Sequence, residues 1–262
     1  MGQLFDDVFE KSGIYNTLFF NLKSVLTQPN LAVLEQENKP LYDRWLYLER
    51  TKYKPQTQSV EETQKVYEQH APHYPEFSKI LAITYAKVYI EDGKLKRNMK
   101  KIVNEDEFIV LSTFVDELHR VSSDGAHSTP VFFETLCGHN IVSYDIPLLV
   151  KKIIHYRDRF ENNKQLPLII KRSLSIKPWE SGVIDTADVW KFNGYDRMPL
   201  MLIADYLGLK KTVDLNPLDV VSKNYWELIE NGEPEDALEY VSLQSATQTN
   251  LVIQLVNELR QL

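Results

Sequence analysis

The chain has 262 residues, 43% of them apolar and 11% aromatic, enough to bury a sizeable core as one large domain or two small ones. A formal net charge of −7 and a pI near 5.5 exclude the strongly basic field of a dedicated nucleic-acid coat or architectural protein, so any nucleic-acid contact must come from a local basic face. The single cysteine, Cys137, excludes an internal disulfide framework, is compatible with a reducing cytoplasm, and reads most simply as a small buried hydrophobe.

The opening Met-Gly-Gln-Leu-Phe-Asp-Asp lacks the basic and apolar regions of a signal peptide, and no later apolar run is long enough to span a bilayer. Gly2 does not make a myristoylation signal, because Asp6 stands where that motif needs Ser or Thr. After a polar leader over residues 1–16, the run Thr-Leu-Phe-Phe-Asn-Leu at 17–22 has the length and aromatic content of a buried strand. Residues 36–74 are rich in Glu, Gln, Lys and Tyr and read as a helical insertion or surface helices, interrupted near Pro55.

Residues 79–103 run from an apolar segment through Glu91-Asp-Gly93 into a basic alternating segment, the pattern of an antiparallel hairpin. Phe108, Leu111, Val115 and Leu118 then recur at roughly helical spacing, ahead of a Ser-Ser-Asp-Gly turn. A strand over 131–137 closes at Gly138-His-Asn140, and Asp145-Ile-Pro147 opens a helix running to about Tyr156. A loop rich in charge and proline is expected over 158–182, followed by helices near 198–207, 222–231 and 234–260. The last is long and amphipathic, with Leu238, Val241, Leu251, Val252, Leu255 and Leu259 facing a core. No internal repeat or interdomain linker interrupts the pattern, so one α/β domain over 1–262 is the simplest reading.

Three segments, in order, resemble the predicted 3′-5′ exonucleases related to the proofreading domain of family B DNA polymerases. The family's first motif is an apolar strand ending Asp-Ile-Glu-Thr; here Leu18-Phe-Phe20 is followed by Asn21-Leu-Lys23-Ser24, and both acidic positions are replaced. The second, Gly-His-Asn followed by an aromatic residue and Asp, stands intact as Gly138-His139-Asn140 and Tyr144-Asp145. The third, Tyr-x-x-x-Asp on the final helix, keeps Tyr240 but carries Gln244 in place of the aspartate. Lys177-Pro-Trp179-Glu180, Ile184-Asp185-Thr186, Val189-Trp-Lys-Phe192 and Tyr206-Leu-Gly-Leu209 agree as well, so the similarity spans residues 15–260. It implies a ribonuclease-H-like exonuclease fold, a mixed central sheet flanked by helices.

The resemblance also implies a lost activity. Two-metal phosphodiester hydrolysis needs carboxylates converging on two divalent ions, magnesium or manganese in such enzymes. Asn21, Lys23, Asp145 and Gln244 hold one cation and one anion, net zero, where four carboxylates would carry about −4. The Lys23 ammonium is expected to stand in the metal's place and pair with Asp145, because a metal about 4 Å from it would be repelled by several kcal/mol. No catalytic set and no metal are therefore expected, Asp145 and Asp185 being the only candidate ligands.

Each residue has a plainer reading too. Asp145 could cap the helix it opens, His139 and Asn140 could satisfy their own turn or contact a nucleic-acid strand, and Tyr240 with Gln244 could be an ordinary pair one helical turn apart. The basic clusters at Lys94 to Arg97 with Lys100-Lys101, at Lys151-Lys152 with Arg157 and Arg159, and at Lys171-Arg172 read as solvated surface. Lys151 and Lys152 could alternatively line a phosphate-tracking groove. The expectation is a pseudo-nuclease acting by binding a protein partner, an assembly or nucleic acid, located in the cytoplasm or within a phage particle. Two alternatives stand beside it: an active nuclease with a site rebuilt from Asp145, Asp185 and Glu239, using magnesium or manganese, and a structural subunit of a larger particle such as a virion.

Overall fold

The computed structural model describes residues 13–53, 59–92, 94–123, 135–160, 167–174, 182–192 and 194–260. Strand β1 (Thr17–Leu26) is buried along its whole length except at Lys23, as a strand covered on both faces must be. It pairs antiparallel with β2 (Ser78–Glu91) and parallel with β4 (Thr135–Gly138). The hairpin partner β3 (Lys94–Val103) and the short β5 (Val183–Asp185) complete a five-stranded mixed sheet in the order β3-β2-β1-β4-β5.

Alternation along β1 sorts its side chains to two faces. Leu18, Phe20 and Leu22 pack against α4 (Glu107–Ser123), α5 (Asp145–His155) and α6 (Leu168–Ser173), through Leu111 and Phe114, Leu149, and Ile170 respectively. Phe19 points the other way, toward α8 (Leu200–Leu207) and the long α10 (Pro234–Leu259). Val25 continues that second face against α9 (Leu218–Glu230) and the N-terminal half of α10. Helices thus cover both faces of the sheet, and the chain is α/β. No helix among the described residues is long and apolar enough to cross a membrane.

The first strand, the hairpin, α4, α5 and the last three helices fall where the sequence places them, with α9 starting four residues early. Other expectations need correction. Residues 36–74 read in the sequence as a helical insertion or surface helices; α1 (Leu31–Glu37), which starts five residues earlier, α2 (Lys39–Leu48) and α3 (Val60–His70) do more than cover the surface. They enclose a separate core in which Trp45 contacts Tyr67 and Phe77 edge-on at centroid distances of 5.3 and 5.2 Å. A π-helical turn at Glu49–Tyr53 ends α2; Pro55 lies outside the described residues, as do 131–134 of the expected fourth strand. The loop expected over 158–182 contains α6, which forms because Ile169 and Ile170 reach the core. It also ends in β5, which leads directly into α7 (Thr186–Trp190). The matched segment Lys177 to Glu180 is outside the described residues.

Candidate functional site

The intact Gly-His-Asn segment sits where β4 ends beside β1. Gly138 is required by closeness: a Cβ there would meet Ile141 Cγ2 at 2.2 Å and the Phe20 carbonyl oxygen at 2.8 Å. Asn140 takes a left-handed conformation (φ 62°), which asparagine tolerates better than most residues. The turn is then held by Asp185, buried at the end of β5. Its carboxylate accepts the amides of Asn140 at 2.7 Å, Val142 at 3.2 Å and Ala187 at 3.0 Å, fixing the turn and capping α7 at once.

His139 is buried as well, which corrects the reading of it as a nucleic-acid contact. Its Nε2 lies 3.0 Å from the Met198 carbonyl and its Nδ1 3.0 Å from Thr186 Oγ1. A carbonyl can only accept, so Nε2 carries the proton. Burial lowers the imidazole pKa below its ordinary 6.5, against the upward pull of that hydrogen bond and of Asp185. His139 therefore ties β4 to α7 and to the segment before α8. Asn140 is exposed, but its Oδ1 accepts from Arg197 Nη1 at 3.0 Å. Arg197 also donates to Ser143 and holds Asp188 at 2.7 Å, a hub with no signal in the motif comparison.

Asp145 is the first residue of α5, but its carboxylate reaches across to β1 rather than to the later amides of that helix, which corrects the reading of it as a helix cap. Its Oδ1 accepts the Leu22 amide at 2.9 Å and Asn21 Nδ2 at 3.0 Å, so the side chains of Asn21 and Asp145 are bonded to each other. Burial pushes the Asp145 pKa up from 3.8 to about 7. The Leu22 amide and the Lys23 charge hold it down, and the Asp185 charge adds to the rise. Tyr144, beside it, shares a 2.7 Å hydrogen bond with Ser24 and donates to the Pro72 carbonyl at 3.1 Å.

Lys23 corrects a second expectation. It feels the Asp145 charge, yet its ammonium donates to Gln248 Oε1 at 2.5 Å on α10 rather than bridging to the carboxylate. The pairing of β1 with β2 shifts register just after Lys23, where Leu81 of β2 is the extra residue, and Lys23 itself stays in register opposite Ala82. Burial lowers the Lys23 pKa to about 8, with Asp145 pulling it back up.

Gln248, one turn beyond Gln244, was not singled out in the sequence. Its signal would have been the continuation of the polar stripe through Ser245, which donates to the Asn21 carbonyl at 3.1 Å. Tyr240 and Gln244 do not bond each other. Tyr240 Oη accepts from Asn216 and Asn224 side chains, both at 3.0 Å. Gln244 accepts the Asn216 amide and donates to the Asp214 carbonyl, each at 2.9 Å, clamping the loop before α9.

The two lysines of the supposed groove part company. Lys151 is exposed, whereas Lys152 is buried, donates to the Ser78 carbonyl and lies 3.1 Å from Glu107 Oε2 on α4. Lys152 is thus a core cation and not a phosphate contact. Exposed Lys96, Arg97, Lys100 and Lys101 lie on β3, the sheet's edge, where charge discourages pairing with another chain.

A two-metal centre would need anionic oxygens free to converge. Asp145 and Asp185 spend theirs on backbone amides and on Asn21, Glu239 is exposed on α10, and an ammonium stands beside Asp145. Among the described residues no three His, Cys, Asp or Glu side chains are grouped so as to hold a metal ion. The residues present do not fit a magnesium or manganese pair. Comparison of the chain with protein-family models, with curated proteins and with solved structures finds no match in any of the three.

Proposed function

We propose that the chain is a degenerate 3′-5′ exonuclease in a ribonuclease-H-like fold, retained as a binding or structural module rather than as an enzyme. The reading rests on the three ordered motifs of the sequence and on a mixed sheet flanked by helices, the architecture those motifs call for. One observation carries the loss of catalysis. At the junction of β1, α5 and α10, Asn21 is hydrogen-bonded to Asp145 and Lys23 to Gln248, so the polar atoms that would face a metal already have protein partners. The protein then acts by what its surface holds, a partner protein, an assembly or a nucleic-acid strand.

A nucleotide-release assay tests this. Purified protein with magnesium or manganese and end-labelled single-stranded DNA is expected to release nothing above the buffer control. Metal-dependent release that disappears in Asp145→Ala would overturn the proposal in favour of a rebuilt active site.

A further inference from the structure

Helices α1, α2 and α3 enclose a cleft of about 760 Å³ on the part of the molecule built around Trp45, away from the Asn21–Asp145 junction. Four glutamates line it, Glu35, Glu49, Glu61 and Glu68, against one arginine, Arg50. Three of the acids are exposed, and two of these already have local partners: Glu35 takes Lys39 at 2.7 Å and Glu68 accepts from Gln64 at 2.6 Å. Glu49 is different. It is only 3% exposed, and its Oε1 has no hydrogen-bond partner. A donor one helical turn earlier, Trp45 Nε1, is also buried and unpartnered, so the two do not satisfy each other.

A buried carboxylate oxygen without a donor is costly, and native proteins keep such groups chiefly where something else supplies the missing partner. The lining, four glutamates against one arginine, favours a cation as that partner. A bare divalent ion fits poorly, because no three acidic side chains among the described residues converge as a metal site. The walls also include Leu31, Tyr42, Leu46 and Val60, which suit the methylene stem of an organic cation. We propose that this cleft binds an ammonium or guanidinium group carried on an aliphatic stem, with Glu49 as its buried counter-ion and the exposed glutamates steering its approach. Two sources share that chemistry, a free polyamine and a lysine or arginine side chain of a partner protein.

The test uses the full chain, with spermidine and N-acetyl-arginine amide as probes in calorimetric titrations, and magnesium chloride at matched ionic strength as the control. Saturable binding is expected for at least one organic cation, weakened roughly tenfold or more in Glu49→Gln, as for loss of one partner of a buried charge pair. Spermidine alone binding assigns the site to a free polyamine; the arginine amide alone binding assigns it to a partner's side chain. Glu49→Gln removes an unpaired buried charge, so it is expected to fold and melt no lower than the parent, which separates lost binding from lost structure. No saturable binding of either probe, equal binding by Glu49→Gln, or equal competition by magnesium would overturn the proposal. That failure would leave the exonuclease-like reading untouched, since none of its residues lines this cleft.

Discussion

Replacing Lys152 with methionine is expected to lower the unfolding free energy by about 3–5 kcal/mol, the usual cost of removing one partner from a buried ion pair. The reason lies in what would be left behind. Glu107 is 5% exposed; its Oε1 accepts the Ile80 amide at 2.6 Å, and its Oε2 faces Lys152 and the Tyr156 hydroxyl. Methionine keeps the length of the stem but strands the carboxylate charge between β2, α4 and α5. Adding Glu107→Gln should recover most of the loss, because the amide oxygen can still accept from Ile80 and no charge remains buried. Urea unfolding of the two single variants and the double variant measures this coupling. A Lys152→Met protein within about 1 kcal/mol of the parent, the range of exposed ion pairs, would show that Lys152 is effectively solvated.

The second large effect is on pH dependence. Asp145 has a folded pKa raised from 3.8 to about 7. Its contribution to stability is therefore complete below about pH 4 and is lost as pH rises toward 7, because the folded state holds a proton that the unfolded state has released. A rise of that size corresponds to a loss on the order of 4 kcal/mol across the window. Lys23 works at the other end: its folded pKa of about 8 lies below 10.5, so its contribution is present above 10.5 and is lost as pH falls through 8. Between pH 4 and 7 Lys23 is charged in both states and adds no slope.

His139 and His73, both lowered from 6.5 chiefly by burial, gain stability as pH rises through that window, so the parent's curve alone is a sum of opposing trends. The Asp145→Asn variant isolates the carboxylate, since the amide oxygen can still accept from Leu22. Parent minus variant, measured by urea unfolding from pH 4 to 7, should fall steadily with pH. A flat or rising difference would mean that Asp145 is ionised without penalty.

Much of the framework was legible because period and punctuation agreed. The apolar run at Thr17 to Leu22, the turn at Glu91 to Gly93 and the helix opening at Pro147 each carry a local signal that burial then reinforces. What escaped the sequence was set by contacts between distant segments. Three residues suffice for β5 because its neighbour β4 supplies the ladder, and no window of three residues has a readable period. Lys151 and Lys152 look alike in the sequence. Only the arrival of Glu107 from 45 positions earlier separates a surface cation from a core one.

At the site, the motifs located β1, the β4 turn and α10, and they identified Asn21, Lys23 and Asp145 as neighbours. The partners within it were set differently. Lys23 reached Gln248 instead of Asp145, and Asn21 took the carboxylate in its stead. His139 and Asp185 turned out to be fasteners of the turn, roles that a family motif does not distinguish from ligand binding.

In the proposed function, Asn21 and Lys23 stand where metals would otherwise sit at Asp145. Manganese titration followed by electron paramagnetic resonance tests it most directly, because free aqueous manganese and bound manganese give different signals. The prediction is that manganese stays free with equimolar protein at micromolar concentrations, and that parent and Asp145→Asn behave alike. One or two ions held tightly by the parent and lost in Asp145→Asn would contradict it.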